Sequence, residues 1–349
     1  MLWTFLRHVD RERVNPVVVF LSDGPFASEV SDLGFETIVM PAGRLRHARR
    51  AAATVQRLRR IVATGCDAVL NWTAKSHLYG GTAASTAGMS RHTIWWQHGV
   101  PDGHWLDRLA TAIPARAIGC SSHSSARAQA NLRPQRRTFV VHPGIDDSRL
   151  GLAAQRDSNR ADSPERVVGI VGRLQPWKGQ GRFIEAVAEL RRRGHRVRGL
   201  VVGGNSHNLS PGYESVLRQL ASESGVGSFI TFTGHVNDPV EQIQTMDVLV
   251  NASRQEPFGI VLLEAMALGV AVVALAEGGP LEIIEPDRSG VLVPSPSTAS
   301  LVEALERVLT DADFQRQLGE RGRDRVRARF TATEMCRRLE AALQGVAAR

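Results

Sequence analysis

The sequence has few of the residues that would indicate a secreted, zinc-binding or membrane-spanning protein. Its 349 residues include only three cysteines, which are far apart and odd in number. They support neither a disulfide framework nor a cysteine-based zinc site, and they fit a reducing cytoplasm. The longest apolar stretch, residues 265–276, has 12 residues, whereas a membrane-spanning helix needs about 20. We therefore expect a cytoplasmic protein, with peripheral attachment to the inner face of a membrane left open.

Lysine is almost absent, and the basic residues are unevenly distributed. Of the 43 basic residues, all are arginine except Lys75 and Lys178. Residues 1–163 carry 21 basic and 13 acidic residues, so the whole net charge of +8 lies there, while residues 164–349 carry 22 of each. The segment from Arg44 to Arg60 is the densest basic stretch.

Two explanations fit this basic stretch. It is either a solvated helix face or a surface that meets anionic lipid, where each basic residue contributes about 1 kcal/mol. We expect an anionic membrane surface as a partner. Nucleic acid is not expected, because no nucleic-acid-binding motif accompanies the charge.

Two sets of short apolar runs alternate with longer helical patterns. Apolar strands separated by helices are typical of parallel sheets covered by helices on both faces. Because the alternation occurs twice, the sequence predicts an α/β fold of two doubly wound, Rossmann-like domains. The predicted strands are residues 17–20, 37–40, 68–71, 93–97, 117–120 and 139–142, followed by 167–171, 200–202, 230–233, 248–251, 270–274 and 291–293.

A polar segment between the two sets predicts the domain boundary. We expect residues 1–150 to form the first domain, residues 151–166 a linker and residues 167–330 the second domain. Residues 331–349 have a helical pattern, and we expect this helix to pack back toward the first domain. Ligands of open α/β sheets bind beyond the carboxyl ends of the strands, so we expect both domains to face one cleft.

The strongest chemical signal is EPFGIVLLE, residues 256–264, which follows a predicted strand and opens a helix. Gly259 would let a ligand approach the backbone closely. The free N–H groups and the positive dipole end of a helix start suit a phosphate. A carboxylate at Glu264 can accept hydrogen bonds from ribose hydroxyls, and Glu256 precedes the helix. Each glutamate alone is equally well explained as an ordinary helix carboxylate, but the whole string favours a ligand site.

A second signal is GRLQPWKG, residues 172–179, which follows the first predicted strand of the second half and opens a helix. Arg173 and Lys178 are five residues apart in one loop, so both can reach one diphosphate, the arginine as a planar fork and the lysine as a point charge. A solvated basic loop is the alternative. The pair Gly278 and Gly279 ends a third strand at the same sheet edge.

These segments together resemble the donor half of the retaining glycosyltransferases of family 4, which have the GT-B fold. The resemblance is strong over about residues 165–330 and weaker over 15–150, and the spacing of Glu256 and Glu264 matches that family's Glu-x7-Glu motif. It implies an enzyme that moves a sugar from a nucleotide-sugar donor to an acceptor hydroxyl with retention of configuration. The implied pathway is the synthesis of cell-envelope glycans, glycolipids or related glycoconjugates, with a glycan, lipid-linked or small-molecule acceptor.

The resemblance also implies roles for particular residues. Arg173 and Lys178 would bind the donor diphosphate, Glu264 would bind the ribose, and Glu256 would act as a catalytic residue that holds the transferred sugar. The backbone of four consecutive residues would cap the distal phosphate: Phe258, Gly259, Ile260 and Val261. The base would lie near two residues that follow the strand 230–233: His235 and Val236.

Three residues in the first half are further candidates. His98, in the segment IWWQHG, resembles the strand-end histidine that lies beside the reacting sugar in this family, and we expect it to be catalytic. His77 resembles part of an acceptor-side loop, and Ser122 could contact the acceptor. A structural histidine and a helix-capping serine are the alternative explanations.

We expect no cofactor and no metal. The Asp-x-Asp pair, Asp311 and Asp313, lies in the late helical region, where helix-starting carboxylates explain it. Arg173, Lys178 and the helix dipole would stabilise the leaving diphosphate electrostatically. Two other functions stay open at this point: a sugar-nucleotide epimerase of the same fold, and a non-catalytic sugar-nucleotide-binding protein.

The beginning of the sequence departs from the family pattern. A helical pattern precedes the first predicted strand, whereas the family opens with a strand and a Gly-rich turn. Loss of a central strand would leave buried backbone groups unpaired, which is costly. We hypothesise that Met1 is an internal methionine and that the natural start lies about 15–25 residues earlier, the length of a strand with its turn and lead-in. The DNA sequence upstream of Met1 would test this.

Overall fold

The computed structural model describes residues 1–43, 47–133, 135–151, 165–205 and 210–347. The chain divides into two units. Unit 1 comprises Met1–Gly144 and Ala332–Arg349, and unit 2 comprises Ile145–Thr331. Most of the expected linker, residues 152–164, lies outside the described residues. The hypothesis about an earlier start concerns residues before Met1 and stays a hypothesis.

Unit 1 contains the six strands predicted from the first half of the sequence. They are β1 (Val18–Phe20), β2 (Thr37–Val39), β3 (Val69–Asn71), β4 (Thr93–Gln97), β5 (Ala117–Cys120) and β6 (Thr138–Val140). The helices between them are α1 (Leu2–His8), α2 (Pro25–Asp32), α3 (Ala48–Ala63), α4 (Ala74–Ser76), α5 (Thr82–Thr86), α6 (Trp105–Ala112) and α7 (His123–Leu132). Every strand pair is parallel. β1 pairs with β2 in one sheet, and the order β3-β4-β5-β6 forms a second sheet.

Strand β4 shows why the second sheet is apolar on both faces. All five of its residues are buried. Because side chains alternate along a strand, Ile94 and Trp96 enter one core cluster, while Trp95 enters another with Ile118 and Cys120. Helices on both faces are what a parallel sheet of this composition requires.

The last helix of the chain, α16 (Ala332–Ala347), belongs to unit 1. Its buried side chains recur at helical spacing, at Met335, Leu339 and Leu343. They pack in one core cluster with Phe5 and Leu6 of α1. The two terminal segments of the described chain therefore share one apolar core.

Unit 2 contains the six strands predicted from the second half. They are β7 (Arg166–Val171), β8 (Val197–Val202), β9 (Ile230–Phe232), β10 (Val248–Asn251), β11 (Ala271–Leu275) and β12 (Val291–Val293). Its helices are α8 (Asp147–Gly151), α9 (Gln180–Arg192), α10 (Tyr213–Glu223), α11 (Val240–Gln244), α12 (Ile260–Ala267), α13 (Pro280–Ile283), α14 (Thr298–Thr310) and α15 (Ala312–Arg329). The parallel sheet has the order β12-β11-β10-β7-β8-β9.

This strand order defines where unit 2 can bind a ligand. Val248 and Val250 of β10 face one core cluster, and Leu249 between them faces another, so helices cover both sides of the sheet. The chain starts at β7 in the middle, proceeds to β8 and β9 on one side, and then crosses to β10 on the other. Ligands of such sheets bind beyond the carboxyl ends of the strands at this switch point, here between β7 and β10.

Helix α3 carries most of the basic stretch of the sequence. Its buried residues, Thr54, Leu58 and Val62, lie on one face. The arginines of this helix are all exposed: Arg49, Arg50, Arg57, Arg59 and Arg60. Arg44 and Arg46, which begin the basic stretch, lie outside the described residues. No helix among the described residues is both long and apolar enough to cross a membrane.

Candidate functional site

The loops after β7 and β10 meet at the switch point through an ion pair. Lys178 Nζ lies 2.6 Å from Glu256 Oε2, although the two residues are 78 positions apart. Their side chains are only 16% and 8% exposed. The Asn251 amide nitrogen, at the end of β10, lies 3.5 Å from the same carboxylate oxygen. The structure thus brings together one predicted phosphate ligand and one predicted sugar ligand.

The loop after β7 is tightly packed against the end of β10. A short 3-10 helix, Pro176–Lys178, precedes Gly179, which has a φ of 78°. A Cβ atom at Gly179 would lie 2.3 Å from the carbonyl oxygen of Ala252, so no larger residue fits there without a shift of backbone. Lys178 Nζ also lies 4.1 Å from the centre of the Trp177 ring, a cation–π contact. Arg173, in the same loop, is exposed to solvent.

The turn after β11 supports the loop that carries Glu256. The backbone N–H of Gly279 donates to the carbonyl of Glu256 at 2.8 Å. Gly278 has a φ of 75°, and a Cβ atom there would lie 2.2 Å from the same carbonyl oxygen. The predicted Gly-Gly turn therefore positions the backbone beneath the Glu256 carboxylate.

Helix α12 begins directly after this loop, with Gly259 at its N-cap and a φ of 101°. Phe258 is buried, and its ring lies 6.0 Å from that of Phe330, which fixes the approach to the helix. Ile260 is exposed and Val261 is half-buried. The first N–H groups of a helix have no partner within it, and the expected phosphate contact at this end stays a prediction.

Glu264 lies in the second turn of α12, and its side chain is 17% exposed. Arg149 Nη1 lies 3.3 Å from Glu264 Oε1, and Arg149 Nη2 lies 3.0 Å from Asp238 Oδ2. Burial raises the pKa of Glu264 to about 6. The positive charge of Arg149 lowers this pKa, and the negative charge of Asp238 raises it. The carboxylate is therefore largely ionised at pH 7.

Sequence reasoning missed Arg149 and Asp238. Arg149 is 115 residues from Glu264 and belongs to a short helix ahead of the undescribed segment. The sequence held only a weak indication of this contact. Arg149 follows the segment HPGID, residues 142–146, to which no role was assigned, and no local pattern connects it to Glu264.

The residues predicted to lie near the base follow β9. Gly203 donates its backbone N–H to the carbonyl of Gly234 at 3.0 Å, which joins the loops after β8 and β9. A Cβ atom at Gly204 would lie 3.0 Å from the backbone nitrogen of His235. His235 is exposed, and Val236 packs against a core cluster of unit 2. The base-binding role stays a prediction.

His98 follows the last residue of β4 in unit 1. It is exposed, and its ring centre lies 5.2 Å from that of Trp72 and 6.5 Å from that of Trp96. The surrounding protein atoms reduce the hydration of the ring and lower the pKa of His98 to about 4, even though the residue is accessible. A neutral imidazole at pH 7 can both donate and accept a hydrogen bond.

The two acceptor-side candidates are buried. His77 is 0% exposed, lies in a π-helical turn (His77–Gly81), and stacks on Trp95 at a centroid distance of 5.1 Å. Burial lowers the pKa of His77 to about 4. Ser122 caps α7 by accepting the Ser125 N–H at 3.0 Å. Both side chains have structural contacts in this conformation, and their contact with an acceptor stays a prediction.

The Asp-x-Asp pair has the helix-starting environment expected from the sequence. Asp311 caps α15 by accepting the Phe314 N–H at 2.9 Å, and Asp313 pairs with Arg316 at 2.8 Å. These contacts account for the pair within unit 2.

Comparisons with known proteins agree with this architecture. The structure of HepE from Anabaena in complex with UDP-glucose superimposes with a TM-score of 0.81 at 21% identity, over 98% of this chain and 95% of HepE. At that identity the likeness shows the fold alone. The chain has the GT-B fold, as predicted.

Sequence comparison relates this chain to glycosyltransferases. Residues 153–325 match the family described as "Glycosyl transferases group 1". Over 207 residues the chain is 35% identical to a D-inositol 3-phosphate glycosyltransferase from Stackebrandtia nassauensis, covering 56% of the chain and 46% of that enzyme.

A second relative comes from Mycobacterium tuberculosis. It is a GDP-mannose-dependent alpha-(1-6)-phosphatidylinositol monomannoside mannosyltransferase, 30% identical over 239 residues, with 64% of this chain and 60% of that enzyme covered. The chain thus spans about half the length of the curated relatives it matches.

The buried pair makes a prediction about stability. In Lys178→Met, Glu256 keeps its buried charge without a cation, and we expect the free energy of unfolding to fall by about 3 kcal/mol. In the double variant Lys178→Met/Glu256→Gln no unpaired charge remains, so most of the loss should be recovered. Urea-induced unfolding followed by circular dichroism measures both.

Arg254→Met is the matched control for this experiment. Arg254, whose side chain is 53% exposed, forms an ion pair with Glu277 in the same unit, and its loss should cost less than about 1 kcal/mol. A double variant as unstable as the single one would contradict the assignment of Lys178 as the charge partner of Glu256.

Proposed function

We propose that the protein is a retaining glycosyltransferase that moves a sugar from a nucleotide-sugar donor to an acceptor hydroxyl. The observation that carries the proposal is the Lys178–Glu256 pair at the switch point of unit 2, beside the start of α12. One cation, one buried carboxylate and a helix N-terminus at one sheet edge match the needs of a sugar diphosphate. The glycosyl transferases group 1 domain at residues 153–325 supports the same function.

Donor binding would use charges that are paired before the donor arrives. Lys178 would turn from Glu256 toward the diphosphate, joined by exposed Arg173 and by the first N–H groups of α12. Glu256 Oε1 has no hydrogen-bond partner among the described residues, so this oxygen can accept a sugar hydroxyl. Glu264 would accept the ribose hydroxyls.

The transfer step breaks the bond between the sugar anomeric carbon and the distal phosphate oxygen. The acceptor oxygen forms the new bond on the same face, and its proton passes to the departing phosphate oxygen. Charge develops on the leaving diphosphate, and Lys178, Arg173 and the α12 dipole are aimed at that charge. Because these groups supply the stabilisation, we propose that no metal ion is needed. His98, neutral at pH 7, would hydrogen-bond the reacting sugar.

The relatives guide the choice of substrates. HepE was solved with UDP-glucose, and the mycobacterial relative is named for GDP-mannose and a phosphatidylinositol mannoside. We propose a UDP- or GDP-linked hexose as donor and a polyol, glycan or lipid-linked glycan of the cell envelope as acceptor. The reported matches are to glycosyltransferases, which does not favour an epimerase or a non-catalytic binding protein.

Site variants should separate donor binding from turnover. We expect Lys178→Ala and Glu264→Ala to weaken donor binding at least about tenfold, because each removes a ligand of the nucleotide diphosphate. Glu256→Ala should keep binding within a few fold and lose turnover. A thermal-shift panel of nucleotide sugars identifies the donor, since a ligand of the folded state raises the melting temperature, and calorimetry then gives the affinities.

Glu214→Ala is a suitable control, because Glu214 is an α10 carboxylate of the same unit that pairs with Arg218. Unchanged donor binding in both Lys178→Ala and Glu264→Ala would contradict the site assignment.

The stereochemistry and metal requirement form a separate prediction. With the donor from the panel and a matching acceptor, the product should keep the anomeric configuration of the donor, as read from the proton coupling constant by NMR. The rate should be unchanged by EDTA. An inverted product, or activity that EDTA removes and Mg²⁺ or Mn²⁺ restores, would contradict the proposal. Conversion of the donor without an acceptor would indicate an epimerase.

We further propose that α3 contacts an anionic membrane surface. Its arginines are exposed, the helix contains no acidic residue, and its opposite face is buried in unit 1. None of these arginines forms an ion pair with a described residue. An amphipathic helix of this charge binds anionic headgroups while its apolar side stays in the fold.

Vesicle co-sedimentation tests the membrane proposal. Arg57→Gln/Arg60→Gln should bind phosphatidylglycerol vesicles about thirtyfold more weakly than the wild type, since each arginine contributes about 1 kcal/mol. Arg337→Gln/Arg338→Gln on α16 removes the same charge elsewhere and should bind nearly as well as the wild type. Equal binding to pure phosphatidylcholine vesicles, or equal losses in both double variants, would contradict a specific role of α3.

A further inference from the structure

Helix α8 packs against the core cluster of unit 2 that also contains residues of α12. Ile145 and Leu150 are both buried in the core cluster that contains Leu262 and Leu263 of α12. The N–H of Ile145 donates to the carbonyl of Phe330 at 2.8 Å. The helix is therefore held at both ends, and Arg149 is presented to α12 from a fixed backbone.

Arg149 connects two carboxylates that are themselves fixed. Asp238 Oδ1 accepts the N–H of Val240 at 3.2 Å, which starts α11, and Asp238 Oδ2 accepts from Arg149 at 3.0 Å. The other guanidinium nitrogen reaches Glu264 Oε1 at 3.3 Å. The Arg149 and Glu264 side chains are 27% and 17% exposed, while that of Asp238 is 58% exposed, so the bridge is shielded from solvent at Glu264 and open at Asp238.

The bridge occupies only one side of the Glu264 carboxylate. Glu264 Oε2 has no hydrogen-bond partner among the described residues. An ionised carboxylate accepts about four hydrogen bonds through its two oxygens. With Oε1 held by Arg149, Oε2 stays available to hydroxyl donors.

We infer that Arg149 is a positioning residue for donor recognition: it fixes Glu264 through Oε1 so that Oε2 receives the ribose hydroxyls. This inference rests on the proposed function, in which Glu264 binds the donor ribose. It adds a residue outside the Glu-x7-Glu segment, and it joins the ribose ligand to the loop after β9, where the base is proposed to bind.

Two physical effects follow from the bridge. A guanidinium fork restricts the rotation of both carboxylates, so less rotamer entropy is lost when the ribose binds. Burial raises the pKa of Glu264 to about 6, and the positive charge of Arg149 lowers this pKa. Asp238 lies in the loop ahead of α11, and its negative charge raises the pKa of Glu264, as burial does. Without Arg149, more of Glu264 would be protonated near neutral pH, and a protonated carboxyl accepts fewer hydroxyl hydrogen bonds.

The test compares ribose with a sugar that lacks its hydroxyls. Calorimetry measures binding of UDP and GDP, and of their 2′,3′-dideoxy analogues, to the wild type and to Arg149→Met at pH 7.5. For the diphosphate that the wild type binds, we expect Arg149→Met to weaken ribonucleotide binding about tenfold and dideoxynucleotide binding less than twofold. Arg149→Lys keeps the charge but cannot bridge both carboxylates, so it should recover part of the loss.

Two further measurements make the outcome decisive. Arg307→Met removes an equally charged partner, that of Asp287, elsewhere in unit 2, and should leave both affinities unchanged. The ratio of ribonucleotide to dideoxynucleotide affinity in the wild type should fall as the pH is lowered through about 6, where Glu264 becomes protonated, and in Arg149→Met this fall should begin at higher pH. The ratio cancels protonation of the terminal phosphate, which both ligands share.

Several results would overturn the inference. Equal weakening of ribo- and dideoxynucleotides would mean that Arg149 acts on the diphosphate or on the fold. Tighter ribonucleotide binding in Arg149→Met would mean that Arg149 blocks the site. If Glu264→Gln abolishes the preference for ribose and Arg149→Met does not, the proposed function stands and this inference fails. If the wild type does not prefer ribose, the assignment of Glu264 fails as well.

Discussion

The buried contact between Lys178 and Glu256 depends on the topology of unit 2. Neither group can lose its hydration at reasonable cost without the other, yet the two are 78 residues apart. They meet because the chain places β7 and β10 side by side after two strands have been added on the opposite edge. The crossovers leave the ends of both strands open at one edge, so a charged pair can form there without interrupting the apolar faces of the sheet.

Close backbone packing makes this arrangement possible. The loop after β7 touches the end of β10 at Gly179, and the turn after β11 touches the Glu256 carbonyl at Gly278. Three strand ends therefore support one carboxylate. Positive φ angles at both glycines allow these approaches, which a side chain would prevent. The charged side chains of the site are few, and close backbone contacts at Gly179 and Gly278 help to fix their positions.

The twelve strands found among the described residues could be predicted because apolar periodicity is local information, whereas the GT-B fold was implied by the resemblance of the segments around Lys178 and Glu256 to a known family. The positions of Lys178, Glu256 and Glu264 in loops and at a helix start followed from the same local patterns. The bridge from Arg149 to Glu264 could not be predicted, because its partners are 115 residues apart and share no periodicity. The burial of His77 could not be predicted from the sequence either. Its sequence resembled an acceptor-side loop, whereas a π-helical turn directs the ring onto Trp95.

The charge pairs of unit 2 fit the proposed function, in which the incoming donor exchanges with one partner of an existing ion pair. Residues 164–349 have no net charge; in the site, Lys178 is paired with Glu256, and Arg149 lies between Asp238 and Glu264. In the function proposed above, a dianionic ligand entering this site would replace Glu256 as the partner of Lys178. Much of the dehydration cost would then already have been met in folding, and the carboxylate that Lys178 releases would become free to bind sugar hydroxyls. Binding of the diphosphate and alignment of the sugar would thereby be coupled through one lysine.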